Sequence, residues 1–141
     1  MSQELSYFRL SLLSYLHDSH PGLVANDAFI ATRGDAAAEA YSAAVKNGET
    51  HDRAGELADE VLYAGLLFSP YNTLVNVLCS EFSDEILPEM ARLRALEIMP
   101  KIDEVFGKYN LLDDFDSTPE YDLFYTELTG AVQILLENGI Q

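Results

Sequence analysis

The feature that most constrains the fold of this chain is the apolar stretch over residues 60–84, in which Glu81 is the only formal charge between the two ends. Ser69-Pro70 interrupts the stretch, so it is too broken to cross a membrane as one helix. Serine suits a helix N-cap, and proline suits the first helical position, where a missing N–H costs nothing. The stretch therefore predicts two buried helices that meet at a sharp turn and form the centre of a helical core. Its apolar side chains are Val61, Leu62, Leu66, Leu67, Phe68, Leu74, Val75, Val77, Leu78 and Phe82.

Capping residues and apolar periodicity predict helices along the whole chain. They run over about residues 4–18, 27–47, 51–68 and 70–83, and others begin near residues 88 and 119. Pro100 either kinks the fifth helix or starts a sixth. No segment has the period-two alternation of a strand, and 141 residues with 48% apolar content suit one core. We therefore predict an all-α fold, a single-domain bundle over residues 1–141 with six or seven helices around the central hairpin.

The charge of the chain restricts its partners. It has 24 acidic residues against 8 Lys and Arg, a net charge of −16, and no Lys or Arg after Lys108. Because each phosphate contact needs a cation, bare nucleic acid is a poor partner, and anionic membrane surfaces are disfavoured for the same reason. A basic protein is the expected partner. No signal peptide or membrane-spanning run is visible, so we predict a cytoplasmic protein.

Arg33 is the most informative single residue, because it lies in the middle of the apolar face of the second predicted helix. Arg9 has a milder form of the same problem on the first helix. A buried guanidinium needs a carboxylate or several carbonyl oxygens, and the candidate carboxylates are Glu81 and Glu127. We therefore predict a buried polar network of these four residues. The alternative is an open anion-binding pocket at Arg33.

The last predicted helix has a second apolar stripe, which includes Leu123 and Ile134. A helix that is apolar on two sides either lies centrally in a bundle, which we favour, or presents one face to a partner. An acidic turn with Asp113, Asp114 and Asp116 precedes this helix, where carboxylates favour the helix dipole. The turn and the stripe together are the candidate partner surface.

The sequence contains no complete metal or catalytic motif. His17 and His20 are three positions apart, but zinc needs two further ligands. An EF-hand loop that began at Asp114 would have proline at its glycine position and tyrosine at its bidentate glutamate position. Cys79, the single cysteine, falls within the predicted hairpin and is expected to be an inert core thiol. We therefore predict no cofactor, metal or catalytic residue.

Three stretches of this chain resemble a known family. They are YFRLSLLSYLHDSHP at residues 7–21, EVLYAGLLFSPYNTLVNVLCSEF at residues 60–82 and PEYDLFYTELTG at residues 119–130. Together they resemble a family of small helical proteins from Bacteroidetes that is classed as a domain of unknown function. The resemblance implies an all-helical cytoplasmic protein whose relatives are often encoded in mobile or conjugative elements. It implies no activity, cofactor or catalytic residue.

The function that the sequence favours is a non-enzymatic binding or accessory protein that acts through an acidic helical surface. One alternative is a small enzyme or anion-binding protein with a pocket at Arg33. Another is an acidic mimic of DNA that acts on a DNA-binding protein, which the charge and the mobile-element setting suggest. The sequence leaves the identity of the partner and the oligomeric state open.

Overall fold

The computed structural model describes residues 3–139, with side chains from Tyr7 onward. Within this range the chain forms seven α-helices joined by short 3-10 turns and loops, and it has no strand. The helices are α1 (Gln3–Ser19), α2 (Asp27–Lys46), α3 (His51–Leu62), α4 (Pro70–Glu81), α5 (Ala91–Ile98), α6 (Asp103–Gly107) and α7 (Glu120–Asn138). The predicted all-α fold class is confirmed.

Local capping explains where most helices begin. The side chains of Asn26, Thr50 and Ser69 each accept a backbone N–H from the first turn of α2, α3 and α4, at 3.0, 3.1 and 3.0 Å. Gly48 follows the C-cap of α2 with a φ of +91°, a conformation that glycine adopts without steric cost. The start of α7 has no side-chain cap, and the hydroxyl of the preceding Thr118 donates to the carbonyl of Phe115.

The chain divides into two compact units, Met1–Leu66 and Leu67–Gln141, which we call the N-terminal unit and the C-terminal unit. Each has its own apolar core. The predicted central hairpin requires correction, because α3 ends at Leu62, six residues before the predicted end near residue 68. Gly65, with a φ of +80°, lies in the link that follows. The apolar stretch over residues 60–84 therefore contributes to two cores instead of forming the centre of one. The single-domain assignment stays a prediction.

In the N-terminal unit, α1, α2 and α3 pack around one core. Large side chains from α1 meet small ones from α2, since Ala37 and Ala38 are buried there. Gly34 marks the closest approach of α1 and α2. A Cβ at this position would lie 2.6 Å from Cγ of Arg9 and 3.3 Å from its backbone nitrogen. The buried core residues are Phe8, Leu12, Leu16, Ile30, Ala37, Ala38, Ala58, Leu62 and Leu66.

In the C-terminal unit, the core is aromatic at one end. Phe68, Phe115 and Phe124 contact one another edge to face, with ring centroids 5.2–6.0 Å apart. This geometry is favourable for aromatic pairs beyond the area that they bury. The buried face of α7 consists of Phe124, Leu128 and Val132, and partly buried residues beside it pack against the same core: Tyr121, Tyr125, Ala131, Leu135 and Leu136.

Candidate functional site

Arg33 binds the end of α3. Its Nη1 lies 3.4, 3.2 and 2.6 Å from the carbonyl oxygens of Val61, Leu62 and Ala64, to which it donates. Its guanidinium also lies over the ring of Phe29, 4.9 Å from the centroid. The last carbonyls of a helix have no partner within the helix, and the C-terminal end of the helix dipole favours a cation. The predicted carboxylate partner of Arg33 is therefore wrong, and the carbonyl oxygens that the sequence left open as the other kind of partner bind it instead.

Arg9 has a partner of its own. Its Nη2 lies 2.7 Å from Oδ1 of Asp35, beside the close approach of α1 and α2 at Gly34. The side chain of Asp35 is about half-exposed, so this pair contributes little to stability, about 0–1 kcal/mol. Asp35 was not among the predicted partners.

Glu81 and Glu127 both lie in the C-terminal unit and have separate partners there. Glu81 is exposed and accepts a hydrogen bond of 3.1 Å from the hydroxyl of Tyr125. Glu127 accepts from Nζ of Lys108 at 2.8 Å and from the hydroxyl of Tyr109 at 2.5 Å. The four residues of the predicted buried network, Arg9, Arg33, Glu81 and Glu127, therefore make four separate sets of contacts.

The contacts of Glu127 shift the pKa values of all three groups. The hydrogen bonds from Lys108 and then Tyr109 lower the pKa of Glu127, and the same bond raises the pKa of Lys108. The hydrogen bond to Glu127, followed by burial, raises the pKa of Tyr109 to about 12. Glu127 thus holds the segment after α6 against α7, which is a structural role.

The second apolar stripe of α7 faces solvent. Leu123 is 62% exposed and Ile134 is 59% exposed, so the favoured expectation of central packing is wrong. Gly130 lies between them on the same line, and a Cβ there would meet nothing within 4 Å. We call this line of Leu123, Gly130 and Ile134 the α7 outer face. A face of this helix that is presented to a partner is the alternative that the sequence left open.

Acidic side chains surround the α7 outer face. On a helix with 3.6 residues per turn, Glu120 and Glu127 lie along one edge and Glu137 lies along the other. Both Glu120 and Glu137 are exposed, and α7 contains no Lys, Arg or His. The face therefore combines exposed apolar groups with the carboxylates of Glu120 and Glu137, while Lys108 pairs with Glu127 at one edge.

The acidic turn before α7 has two different kinds of aspartate. Asp113 is half-buried, and its Oδ1 accepts the backbone N–H of Leu67 at 3.0 Å, so it ties the turn to the start of the C-terminal unit. Asp114 and Asp116 are exposed on either side of the buried Phe115. Of the three predicted surface aspartates, Asp114 and Asp116 are the ones available to a partner.

Among the described side chains, no group of three or more His, Cys, Asp and Glu could hold a metal ion. Nε2 of His20 contacts the carbonyl oxygen of Leu66 at 2.8 Å. Over residues 3–139, no helix has the length and apolar character that a membrane span needs. Cys79 is exposed, which corrects its predicted burial.

Sequence reasoning missed one surface feature, a groove beside α1 that is lined by Tyr7, Tyr15 and Tyr63. Tyr7 and Tyr15 are eight positions apart on α1, but Tyr63 follows the end of α3. Only the fold brings its ring to within 4.9 Å of Tyr15. No sequence spacing signals such a meeting.

Comparison with known proteins supplies a family and a structural relative. The family model described as Domain of unknown function (DUF1896) matches residues 1–140. The crystal structure of protein PG0816 from Porphyromonas gingivalis is 46% identical to this chain, with a TM-score of 0.92. The match covers 99% of this chain and 95% of that one. A search of curated proteins gave no match.

Proposed function

The chain belongs to the family described as Domain of unknown function (DUF1896). Because that description names no activity, we propose a function from the surface of the protein itself. We propose a non-enzymatic binding protein whose α7 outer face, with the exposed aspartates of the preceding turn, docks a basic partner protein. The observation that carries this proposal is the exposure of Leu123 and Ile134 on a helix without a single basic residue.

The magnitudes favour a mixed apolar and electrostatic contact. Full burial of a leucine or isoleucine side chain contributes about 1.5–3 kcal/mol, so the two side chains of this face would supply about 3–6 kcal/mol. Association costs at least about 4 kcal/mol in lost rigid-body freedom, which would cancel most of that gain. Complementary charge supports the encounter and excludes acidic partners. A partner for this face therefore needs basic side chains around an apolar contact.

The alternatives have less support. An anion at Arg33 would have to compete with the three carbonyl oxygens that already accept from Nη1 of its guanidinium. A DNA mimic would present carboxylates without an apolar stripe, whereas the α7 outer face has Leu123 and Ile134 between its acids. If the expected mobile-element setting holds, the basic partner would be a protein that handles DNA. The proposal takes the protein to be cytoplasmic, where the exposed Cys79 thiol stays reduced.

The test compares two pairs of exposed apolar residues in the C-terminal unit. The test variant replaces Leu123 and Ile134 with serine, and the matched control replaces Leu93 and Leu96 of α5, which are 53% and 46% exposed. Proteins captured from the native cells by the wild-type chain are identified and purified, and their affinities for the three proteins are measured by calorimetry. We expect the α7 variant to lose binding and the α5 variant to keep it. Equal binding by all three proteins would refute the proposal.

Salt and charge variants separate the proposed contact from DNA mimicry. Replacing Asp114 and Asp116 with asparagine is expected to weaken binding, and affinity is expected to fall between about 50 and 200 mM salt as screening increases. A partner that is lost with the aspartates but unaffected by the serine variant of α7 would identify a DNA mimic. A partner that is held equally well at all salt concentrations would show that charge plays no part.

A further inference from the structure

The groove beside α1 has a defined chemical lining. It is lined by Tyr7, Tyr15 and Tyr63 together with Leu10, and its polar lining residues are Ser11, Ser14 and Asp18. Burial, followed by the charge of Asp59 on α3, raises the pKa of Tyr63, which is one of the lining residues. We call this site the tyrosine groove. It lies entirely within the N-terminal unit.

Two of the three rings, those of Tyr15 and Tyr63, are held in place before any ligand arrives. The hydroxyl of Tyr15 donates to the carbonyl oxygen of Leu66 at 2.6 Å, and its ring packs edge to face on Tyr63 at 4.9 Å. Nη1 of Arg33 donates to carbonyl oxygens on either side of Tyr63, those of Leu62 at 3.2 Å and Ala64 at 2.6 Å, and so holds this segment in place. A ligand therefore finds oriented aromatic surfaces and does not need to order them, which lowers the entropic cost of binding.

The charge of the groove selects the sign of its ligand. No base is among the side chains that line it, and the charged side chain in that lining is the carboxylate of Asp18. Arg9, on the same helix, is engaged with Asp35. The carboxylate of Asp18 would repel an anion, and a purely apolar ligand would cover Asp18 and the two serines without offering them a polar partner.

We propose that the tyrosine groove binds a cationic group, a guanidinium or ammonium, carried by an arginine or lysine side chain of a basic peptide segment. Aromatic faces attract cations through the ring quadrupole, and neighbouring carboxylates add Coulomb attraction at close range. This inference goes beyond the α7 proposal and does not depend on it, because its residues belong to the other unit and its test uses separate variants.

The experiment titrates the full chain, labelled with ¹³C-tyrosine, with a short peptide of alternating arginine and glycine and follows the ring signals by NMR. The matched probe contains citrulline in place of arginine, which keeps the shape of the side chain and removes its charge. We expect saturable shifts at Tyr7, Tyr15 and Tyr63 with the arginine peptide and none with the citrulline peptide. Equal shifts with both peptides would overturn the proposal.

Variants test whether the effect is local. Tyr7→Ala, at a largely exposed position, is expected to weaken binding about twofold to fivefold, the change that corresponds to one exposed cation–π contact. Asp18→Asn is expected to weaken it further than Asp27→Asn, a control with the same net charge at an exposed position on α2. Equal effects of Asp18→Asn and Asp27→Asn would show attraction by net charge alone and would overturn the proposal.

A third arm distinguishes the source of the cation. Acetyl-arginine amide is titrated alone beside the peptide. Binding much weaker than that of the peptide supports a peptide segment as the natural ligand. Equal affinity for the single amino-acid derivative would overturn the peptide assignment in favour of a free organic cation. Circular dichroism and melting of each variant show that the N-terminal unit is folded in every titration.

Discussion

Replacing Arg33 with alanine would remove the cation that binds the end of α3. The guanidinium donates to the carbonyl oxygens of Val61, Leu62 and Ala64 and lies over the ring of Phe29. Hydrogen bonds that involve a charged group contribute about 1.5–3 kcal/mol, and an exposed cation–π contact adds about 0.5–1 kcal/mol. Because Arg33 is half-exposed, water replaces part of what is lost. We expect the free energy of unfolding to fall by about 2–3 kcal/mol.

The measurement is urea denaturation followed by circular dichroism, with Arg53→Ala as the matched control. Arg53 contacts Glu49 and Glu56 at 3.9 and 3.5 Å on the exposed side of α3, so its loss should cost about 0–1 kcal/mol. The acceptors of Arg33 are carbonyls, which do not titrate. Its contribution should therefore be the same at about pH 7 and pH 4, whereas a carboxylate partner would lose part of its charge over that range. A loss below about 1 kcal/mol, or one that shrinks in acid, would refute the reasoning.

Three further predictions follow from the structure. Gly34→Ala should destabilise the chain by about 1–3 kcal/mol through overpacking against α1. A Cβ at Gly55 would meet nothing within 4 Å, so Gly55→Ala should stabilise α3 by up to about 1 kcal/mol. Thermal melting measures both effects. Glu127→Gln should lower the pKa of Tyr109 from about 12 toward its ordinary value, which ultraviolet titration of the phenolate measures. Because the pKa of Tyr109 is raised in the folded state, its contribution to stability is complete below about pH 10 and is lost as the pH rises toward about 12. An unchanged phenolate titration in Glu127→Gln would contradict the role of Glu127 in raising that pKa. Cys79 should react with a thiol reagent in the native protein as fast as in urea, and protection in the native state would contradict its exposure.

Where several helices begin, and much of the candidate surface, could be predicted from the sequence alone. Side-chain caps act within three residues, so Asn26, Thr50 and Ser69 identify where α2, α3 and α4 begin without any knowledge of the tertiary fold. The 3.6-residue period likewise places Leu123 and Ile134 on one line of α7, and the absence of bases after Lys108 is a property of the sequence. These features are local, and local patterns predict them.

Only the tertiary structure decided which groups meet. Arg33 needed a partner, but its acceptors lie 28–31 positions away at a helix end. They are backbone carbonyl oxygens, and because every residue has one, the sequence does not identify which of them accept. Cys79 lies in an apolar helix, and the sequence does not show which side of such a helix is buried. The tyrosine groove likewise exists only because the end of α3 packs against α1. The physical reason is common to all three: a periodic pattern gives the faces of each helix, whereas the partner of each face depends on how the helices pack.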